Sequence, residues 1–545
     1  MDRRFVAGLD VDAFATVNRR VLLRGLAAST LVTTTGGLFS RRVWANPVFA
    51  AYPFSLGVAS GDPAPDGFVI WTKIAPSPLA HGGGMPKKPV EVEWSVASDE
   101  RMTTVAAKGT AIAHPELGHA VHVEVGGLEP AREYFYRFTV GGERSRIGRA
   151  KTLPPTGAST AQVRFGVAGC QRYEDGHYLA YRHLANERLD FVFHYGDYIY
   201  ERRVLRPGER QLPVVRVMPG EPDEIFTLDD YRHRYAVYKS DPNLQRAHAS
   251  TPFVMTFDDH EVSNNWAGEI AQTNKTAAPE LRALFLLRRA AAFQAWYEHM
   301  PVRRATMPRG PDMLAYRRFA FGDLLGLHVL DTRQHRSDQP CEDGFSTIDC
   351  KEALEPHRTM LGEAQEHWLY DGFKEPKRRW TVLGQQVVMM PVDFHADPAI
   401  VGRNVDAWDG AVAARERLLS AAQEAKLGNL VVLTGDTHSN WAGELKRDYQ
   451  NDKAANVGIE LAATSISSNG DGYDINERVK TLLGQNPHVK FFNSQRGYVR
   501  HVVTPQRWRV DYRVVERVSI PKGRISNRKS FVIETGNNAL LESSD

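Results

Sequence analysis

Long apolar runs are missing from this sequence. The weakly apolar stretch from Gly25 to Phe39 is broken by several Thr and Gly and spans roughly 15 residues, against the roughly 20 that a membrane-crossing helix needs. No transmembrane anchor is therefore expected. A large charge of one sign is missing too. The formal net charge is +3 over 545 residues, and no basic stretch of the kind that grips a nucleic-acid backbone stands out. A stable nucleic-acid partner is not expected. Internal repeats and long low-complexity segments are also absent. Cysteine is scarce, with three residues. Cys341 and Cys350 flank a short polar loop and could close a disulfide in an oxidising compartment. That leaves Cys170 alone, with a metal ligand and a buried small hydrophobe as its two simplest explanations.

What is present is the composition of a soluble globular protein, 42% apolar, 10% aromatic and 24% charged. The length exceeds one ordinary core and leaves room for two or three domains. Near the N-terminus Arg19 and Arg20 precede Val21-Leu22-Leu23-Arg24, and Val43-Trp44-Ala45 and Val48-Phe49-Ala50 both offer small-residue cleavage sites. Residues 1–50 thus resemble a twin-arginine signal, read by the Tat export machinery, which carries folded proteins. The expected destination is periplasmic or extracellular.

Residues 52–153 read as an all-β domain. Val90 to Val96 alternates apolar and polar residues with period two, and His119 to Val125 does so less cleanly; Phe68-Val69-Ile70-Trp71 is a short run of β-formers. Leu128-Glu129-Pro130 followed by Tyr134-Phe135-Tyr136 resembles the tyrosine corner of fibronectin-like sandwiches. Pro154-Pro155-Thr156-Gly157 follows as a linker. From 162 to 522 short apolar runs end in polar clusters, with helix-like stretches such as Ala283 to Trp296 and Ala411 to Lys426 between them. Buried strands alternating with helices indicate a layered α/β domain. Strand-like alternation returns around 498–503 and 508–512, and residues 523–545 read as a C-terminal tail whose relation to the site is open.

The informative fact is where metal-capable residues fall. Cys170 follows the apolar run 163–168. Asp197 and Tyr200 follow Phe191-Val192-Phe193-His194, and Asp258-Asp259-His260-Glu261 follows Phe253 to Phe257. Gly435-Asp436-Thr437-His438 follows the run ending at Leu433. In layered α/β folds, groups at the ends of neighbouring strands converge on one crevice. Thiolate, phenolate and imidazole (Cys170, Tyr200, His438) suit a transition metal. Oxygen donors such as Asp259, Asn265 and Asp436 suit calcium, magnesium or manganese. A carboxylate such as Asp197 can bridge two cations.

Gly-Asp-x-x-Tyr, then Asp-His-Glu, then Gly-Asp-x-His, resembles the metallophosphoesterase series. Ala-Gly-Cys-Gln at 168–171, Asp-Asp-His-Glu-Val-Ser-Asn-Asn-Trp at 258–266 and Leu-Asp-Thr-Arg-Gln-His-Arg at 330–336 narrow the resemblance to PhoD-like alkaline phosphatases and phosphodiesterases. It covers nearly the whole chain, and it implies a calcineurin-like layered α/β catalytic domain behind the fibronectin-like sandwich. It further implies Fe(III) held by Cys170, Tyr200 and His438, with Asp197 bridging to Ca2+ or another divalent cation near Asp259, Asp436 and an asparagine, Asn265 rather than Asn264. Cys170 stands where the broader superfamily has Asp, and Asp436 where it has His. The implied reaction is hydrolysis of phosphate mono- or diesters by a hydroxide that metal coordination makes available. Arg333 would be a forked donor to phosphoryl oxygens or else an ordinary surface or structural salt-bridge arginine, and His260 would orient an oxyanion or protonate the leaving group, or else brace Asp259. Alternatives are a diester-preferring phosphodiesterase, a phospholipase D-like enzyme, and an extracellular binding protein with structural metals. Asp406-Ala407-Trp408-Asp409-Gly410 is also family-like, with loop bracing as one reading.

Overall fold

The computed structural model describes residues 47–543, apart from 204–212, 221, 273–278, 345–346, 376–377, 396, 398 and 452. All but the last few residues of the expected export signal lie outside the described residues.

Two sheets carry the catalytic region. At the centre of a ten-stranded sheet, Val163–Ala168, Phe191–His194 and Phe253–Met255 run parallel, with His194 opposite both Ala168 and Met255. In a seven-stranded sheet, Leu325–Val329, Trp380–Gly384, Leu430–Thr434 and Asn456–Ala462 run parallel in that order. Every residue of Phe191–His194, Leu325–Val329 and Leu430–Thr434 is buried, as parallel strands covered on both faces require. The sheets face each other across one apolar layer in which Phe165, Phe193 and Val254 meet Leu327, Val382 and Leu433.

Helices cover the outer faces. Tyr235, Phe293 and Trp296, from Leu228–Lys239 and Pro279–His299, pack against Val192 and Met255 of the larger sheet. Leu369 and Leu418, from Gly362–Lys374 and Val412–Glu424, pack against Leu383 and Val432 of the smaller one. The first of these helices opens on a capping box, Thr227 accepting from the Asp230 N–H and Asp230 from the Thr227 N–H. The result is the layered α/β architecture expected, helix–sheet–sheet–helix. No described helix is long and apolar enough to cross a membrane.

The N-terminal region is all-β as expected. Val90–Ala97, Val105–Ala113 and Glu133–Val140 form the core of a separate sheet, and the Glu129 N–H donates to the Tyr134 hydroxyl at 2.9 Å, closing the tyrosine corner. Facing it, Val58–Ala64, Gly67–Lys73 and Ala120–Val125 extend the ten-stranded sheet itself. Val58–Ala64 lies parallel to Phe253–Met255, with Gly61 opposite Phe253. A side chain on Gly61 would meet the Phe253 carbonyl oxygen at 2.5 Å, so the strands can close only with glycine there. The sandwich thus completes an otherwise open edge of the catalytic sheet.

Two expectations about the rest of the chain resolve here. Residues 523–543 are not a separate tail. Ile525–Glu534 pairs antiparallel with Arg507–Val515, Leu541–Ser543 pairs onto it, and Phe531 and Ile533 sit in the core between the sheets. Alternating apolar residues at 531 and 533 give this strand a buried face, which holds it at the sheet edge. Cys341 and Cys350 are joined as a disulfide, and Cys170 is a buried free thiol.

Candidate metal centre

Parallel strands end together, so the turns that follow them share one edge of the molecule. Five site residues in these turns have left-handed backbone: Cys170 (φ 51°), Asp197 (54°), Asn265 (49°), Asp436 (63°) and His438 (54°). Such a conformation costs about 1–3 kcal/mol at a non-glycine residue and persists only where the surroundings enforce it. Here the Cys170 N–H is held by the Gly196 carbonyl and the Gln171 N–H by that of Asp197, both at 3.1 Å. Gly196 itself (φ 126°) passes so close to the next turn that a side chain would meet the Asp258 nitrogen at 2.5 Å.

Glu261 ties the two turns together. Its buried carboxylate accepts the backbone N–H groups of Tyr198 (2.6 Å), Asp258 (2.9 Å) and Asp197 (3.1 Å). Burial pushes its carboxyl up to about 8, although these three bonds favour the charged form. Glu261→Gln presents one acceptor oxygen and an NH2 to the same three donors. Each N–H left unpaired is expected to cost about 1–3 kcal/mol, read as a lower midpoint in chemical denaturation.

The donors converge in three overlapping groups, Cys170–Asp197–His438, Asp197–Asp259–His260 and Asp258–Asp259–Asp436, with ligand-capable atoms within 4.8 Å of one another inside each. The Cys170 Sγ lies 3.4 Å from Asp197 Oδ2, to which the Tyr200 hydroxyl also donates at 2.8 Å. The same hydroxyl is 3.1 Å from His438 Nε2. Thiol and phenol therefore meet at Asp197 Oδ2 with the imidazole beside the phenol, while the carboxylates of Asp258, Asp259 and Asp436 form a group of their own.

This cluster is electrostatically incomplete. Asp197 Oδ1, Asp258 Oδ2 and Asp259 Oδ1 are buried and accept no hydrogen bond from the described residues, Asp259 Oδ1 having only Arg333 at 3.9 Å as an ion-pair neighbour among them. Buried carboxylate oxygens are costly unless paired or coordinated. Burial, then the charges of Asp258 and Asp259, hold the Asp436 carboxyl far above its ordinary range. Burial likewise raises Asp197, with the charge of His260 opposing it. Burial and then Asp197 raise both the Cys170 thiol and the Tyr200 phenol. A set of anionic donors that cannot ionise together unaided fits bound cations.

The remaining predicted residues divide. Asn265 meets Asp259 through its backbone N–H (2.8 Å), while Asn264 turns its side-chain amide to Gln272 (2.6 Å). His260 lies in the site, its ring 4.2 Å from that of Tyr200 and its Nδ1 2.6 Å from Glu201 Oε2. Burial opposes charge on this imidazole, but Asp259, Glu201 and Asp197 outweigh it and push its pKa up to about 10.

Arg333 takes the structural of its two readings. It is fully buried, its Nε donates to Asp258 (2.6 Å), and its two terminal nitrogens grip Asp406 at 2.8 and 3.0 Å. The fork assigned to phosphoryl oxygens is turned to a carboxylate of the protein. Asp406 also accepts from Gln339 (2.6 Å) and Arg336, which gives its motif a bracing function. Asp258, Glu261, Glu201 and Ser468 also serve the site, without a role assigned to them from sequence. The first two stand inside the 258–261 motif and were within reach. Ser468, whose hydroxyl donates to the Tyr200 oxygen at 2.7 Å across 268 positions, carries no local signal.

A family model described as PhoD-like phosphatase matches residues 165–512, and one for the PhoD-like phosphatase N-terminal domain matches 41–154. The chain is similar to alkaline phosphatase D of Bacillus subtilis (strain 168), 46% identical over 518 residues covering 95% of this chain and 87% of that one. It is similar to a solved structure described as that of PhoD, at 47% identity and a TM-score of 0.87, covering 92% of this chain and 94% of that chain.

Proposed function

The chain belongs to the PhoD-like phosphatase family, and from that membership and the site we infer that it is a metal-dependent hydrolase of phosphate mono- or diesters. The observation that carries this reading is the run of overlapping donor groups with unpartnered buried carboxylate oxygens. Cys170, Tyr200 and His438 would hold Fe(III), with Asp197 shared between two cations. Asp259, Asp436 and Asn265 would hold Ca2+ or another divalent ion. Engagement of the Asn264 amide elsewhere supports Asn265 as the asparagine of the site. Bound there, the cations would lower the pKa of water and neutralise charge on phosphoryl oxygens.

The chain's own residues do the rest. Glu201 fixes His260 through Nδ1 and favours its charged form, which suits it to deliver a proton to the leaving oxygen from its other nitrogen. Arg333 positions Asp258 beside Asp259 and Asp436 rather than meeting substrate. The substrate is a phosphate ester, and the arginine pair at 19–20 supports Tat export to the periplasm or exterior.

Phenolate on Fe(III) absorbs visible light. Protein exported by its native route is expected to be coloured and to contain iron, and Tyr200→Phe to lose the band. A colourless, iron-free enzyme of full activity, unchanged by Tyr200→Phe, would end the iron assignment.

A further inference from the structure

Tyr200 is surrounded by groups that a bland structural tyrosine has no use for. Ser468 Oγ lies 2.7 Å from its oxygen and 2.8 Å from the Cys170 carbonyl, and of these two acceptors a charged phenolate is the stronger for the one hydroxyl proton. Over its ring, the guanidinium carbon of Arg172 lies 4.2 Å from the centroid. Each partner is itself held in place. The Arg172 Nη1 donates to the Arg202 carbonyl (2.8 Å), and the Arg172 N–H donates to Ser468 Oγ (3.0 Å). Ser467 Oγ in turn donates to the Arg172 carbonyl at 2.8 Å. Beneath them Arg496, fully buried, donates to the carbonyls of His438 (2.7 Å) and Ser468 (2.8 Å), so the Ser468 loop and the His438 turn are fixed as one unit.

We propose that Ser468 and Arg172 form a positioning and tuning pair for Tyr200, withdrawing electron density from its oxygen when that oxygen serves as a metal ligand. This rests on the assignment of Tyr200 as an iron ligand made above. The physical basis is direct. A donor to the phenolate oxygen and a cation over the ring both stabilise the negative charge of the ligand. A ligand so stabilised gives less charge to its metal, leaving that metal a stronger Lewis acid toward phosphoryl oxygen. Outer partners of metal ligands orient them and tune the metal, and their removal typically costs 10–100-fold in affinity or activity. The arrangement also gives Arg172 a function that Arg333 cannot have, because its guanidinium lies over the Tyr200 ring whereas that of Arg333 is held by Asp258 and Asp406.

The test uses the exported, iron-loaded enzyme and its ligand-to-metal absorption band. Loss of either partner raises the energy of the phenolate electrons, so Ser468→Ala and Arg172→Gln are each expected to move the band to longer wavelength. Turnover is expected to fall roughly 10-fold or more at unchanged iron content. Ser468→Thr, which keeps the hydroxyl, is expected to restore the wild-type band, separating tuning from damage to the loop. If the wild-type band is present and both variants leave it unmoved with iron bound, the proposal is overturned while the ligand assignment stands. An iron-loaded wild type with no visible band removes the ligand assignment, and this inference with it.

Discussion

Asp197→Asn is expected to reduce turnover of a phosphate monoester by about a thousandfold or more with the fold intact. Asp197 belongs to two of the three donor groups, and its Oδ2 meets both the Cys170 thiol and the Tyr200 hydroxyl. Its Oδ1 is buried and accepts no hydrogen bond from the described residues, so it can face a second cation. An amide of the same shape keeps one acceptor oxygen but loses the charge that lets a single side chain serve both sides. Cation charge at phosphoryl oxygens supplies several kcal/mol to such reactions, and every 1.4 kcal/mol is a factor of ten. Asparagine is the better probe than alanine because the backbone at 197 is left-handed (φ 54°), a conformation asparagine tolerates. Removing one of several crowded buried carboxylates also relieves repulsion, so thermal stability of the metal-free protein is expected to hold. Retention of turnover within tenfold, with metal content unchanged, would refute the shared-ligand role.

Metal removal is expected to have the second large effect, and one that grows with pH. Burial, with neighbouring carboxylates adding to it, raises Asp197 and Asp436 well above the carboxylate range, and burial opposed by Arg333 leaves Asp258 at about 7. A carboxyl whose pKa is higher folded than unfolded contributes stability that is complete below its unfolded value, near 4, and is lost as pH rises through the folded value. Metal-free protein should therefore weaken progressively from about pH 4 through neutrality. Bound cations favour the ionised ligands and reverse that trend, so the gap in melting temperature between loaded and chelated protein should widen as pH rises. Each proton displaced on binding makes apparent metal affinity rise tenfold per pH unit. Four raised ligands, Cys170, Asp197, Tyr200 and Asp436, predict a slope steeper than one. Melting curves and metal titrations between pH 5 and 8 would read both, and a pH-independent gap would contradict the cluster's electrostatics.

Much of this site was legible because its donors ride on strand ends. Phe191 to His194 and Leu430 to Leu433 announce buried strands by their apolar runs, and the residues just after them are the donors. Parallel strands then bring those turns to one edge with no further information. The role of Arg333 stayed open because an arginine near a phosphatase motif carries the same letters whether it faces substrate or Asp406, and only the path of the 404–410 loop decides. The tail was misread because alternation at Phe531 and Ile533 is too short to declare a strand without the edge of Arg507–Val515 to pair with. The sharing of one sheet between the sandwich and the catalytic region was likewise hidden. It depends on an open strand edge at Phe253–Met255 meeting a glycine at 61.

By itself the order of residues determined the donor types, their places after buried strands, the all-β and layered α/β divisions, and the family. Those are properties of neighbours in the chain, where period and turn chemistry act over a few residues. Tertiary structure alone decided which carboxylates lack partners, which arginine is spent on Asp406, and which serine and arginine attend Tyr200. Those depend on groups hundreds of positions apart meeting in a low-dielectric interior, where burial and the nearest charge, not local sequence, set what each side chain can do.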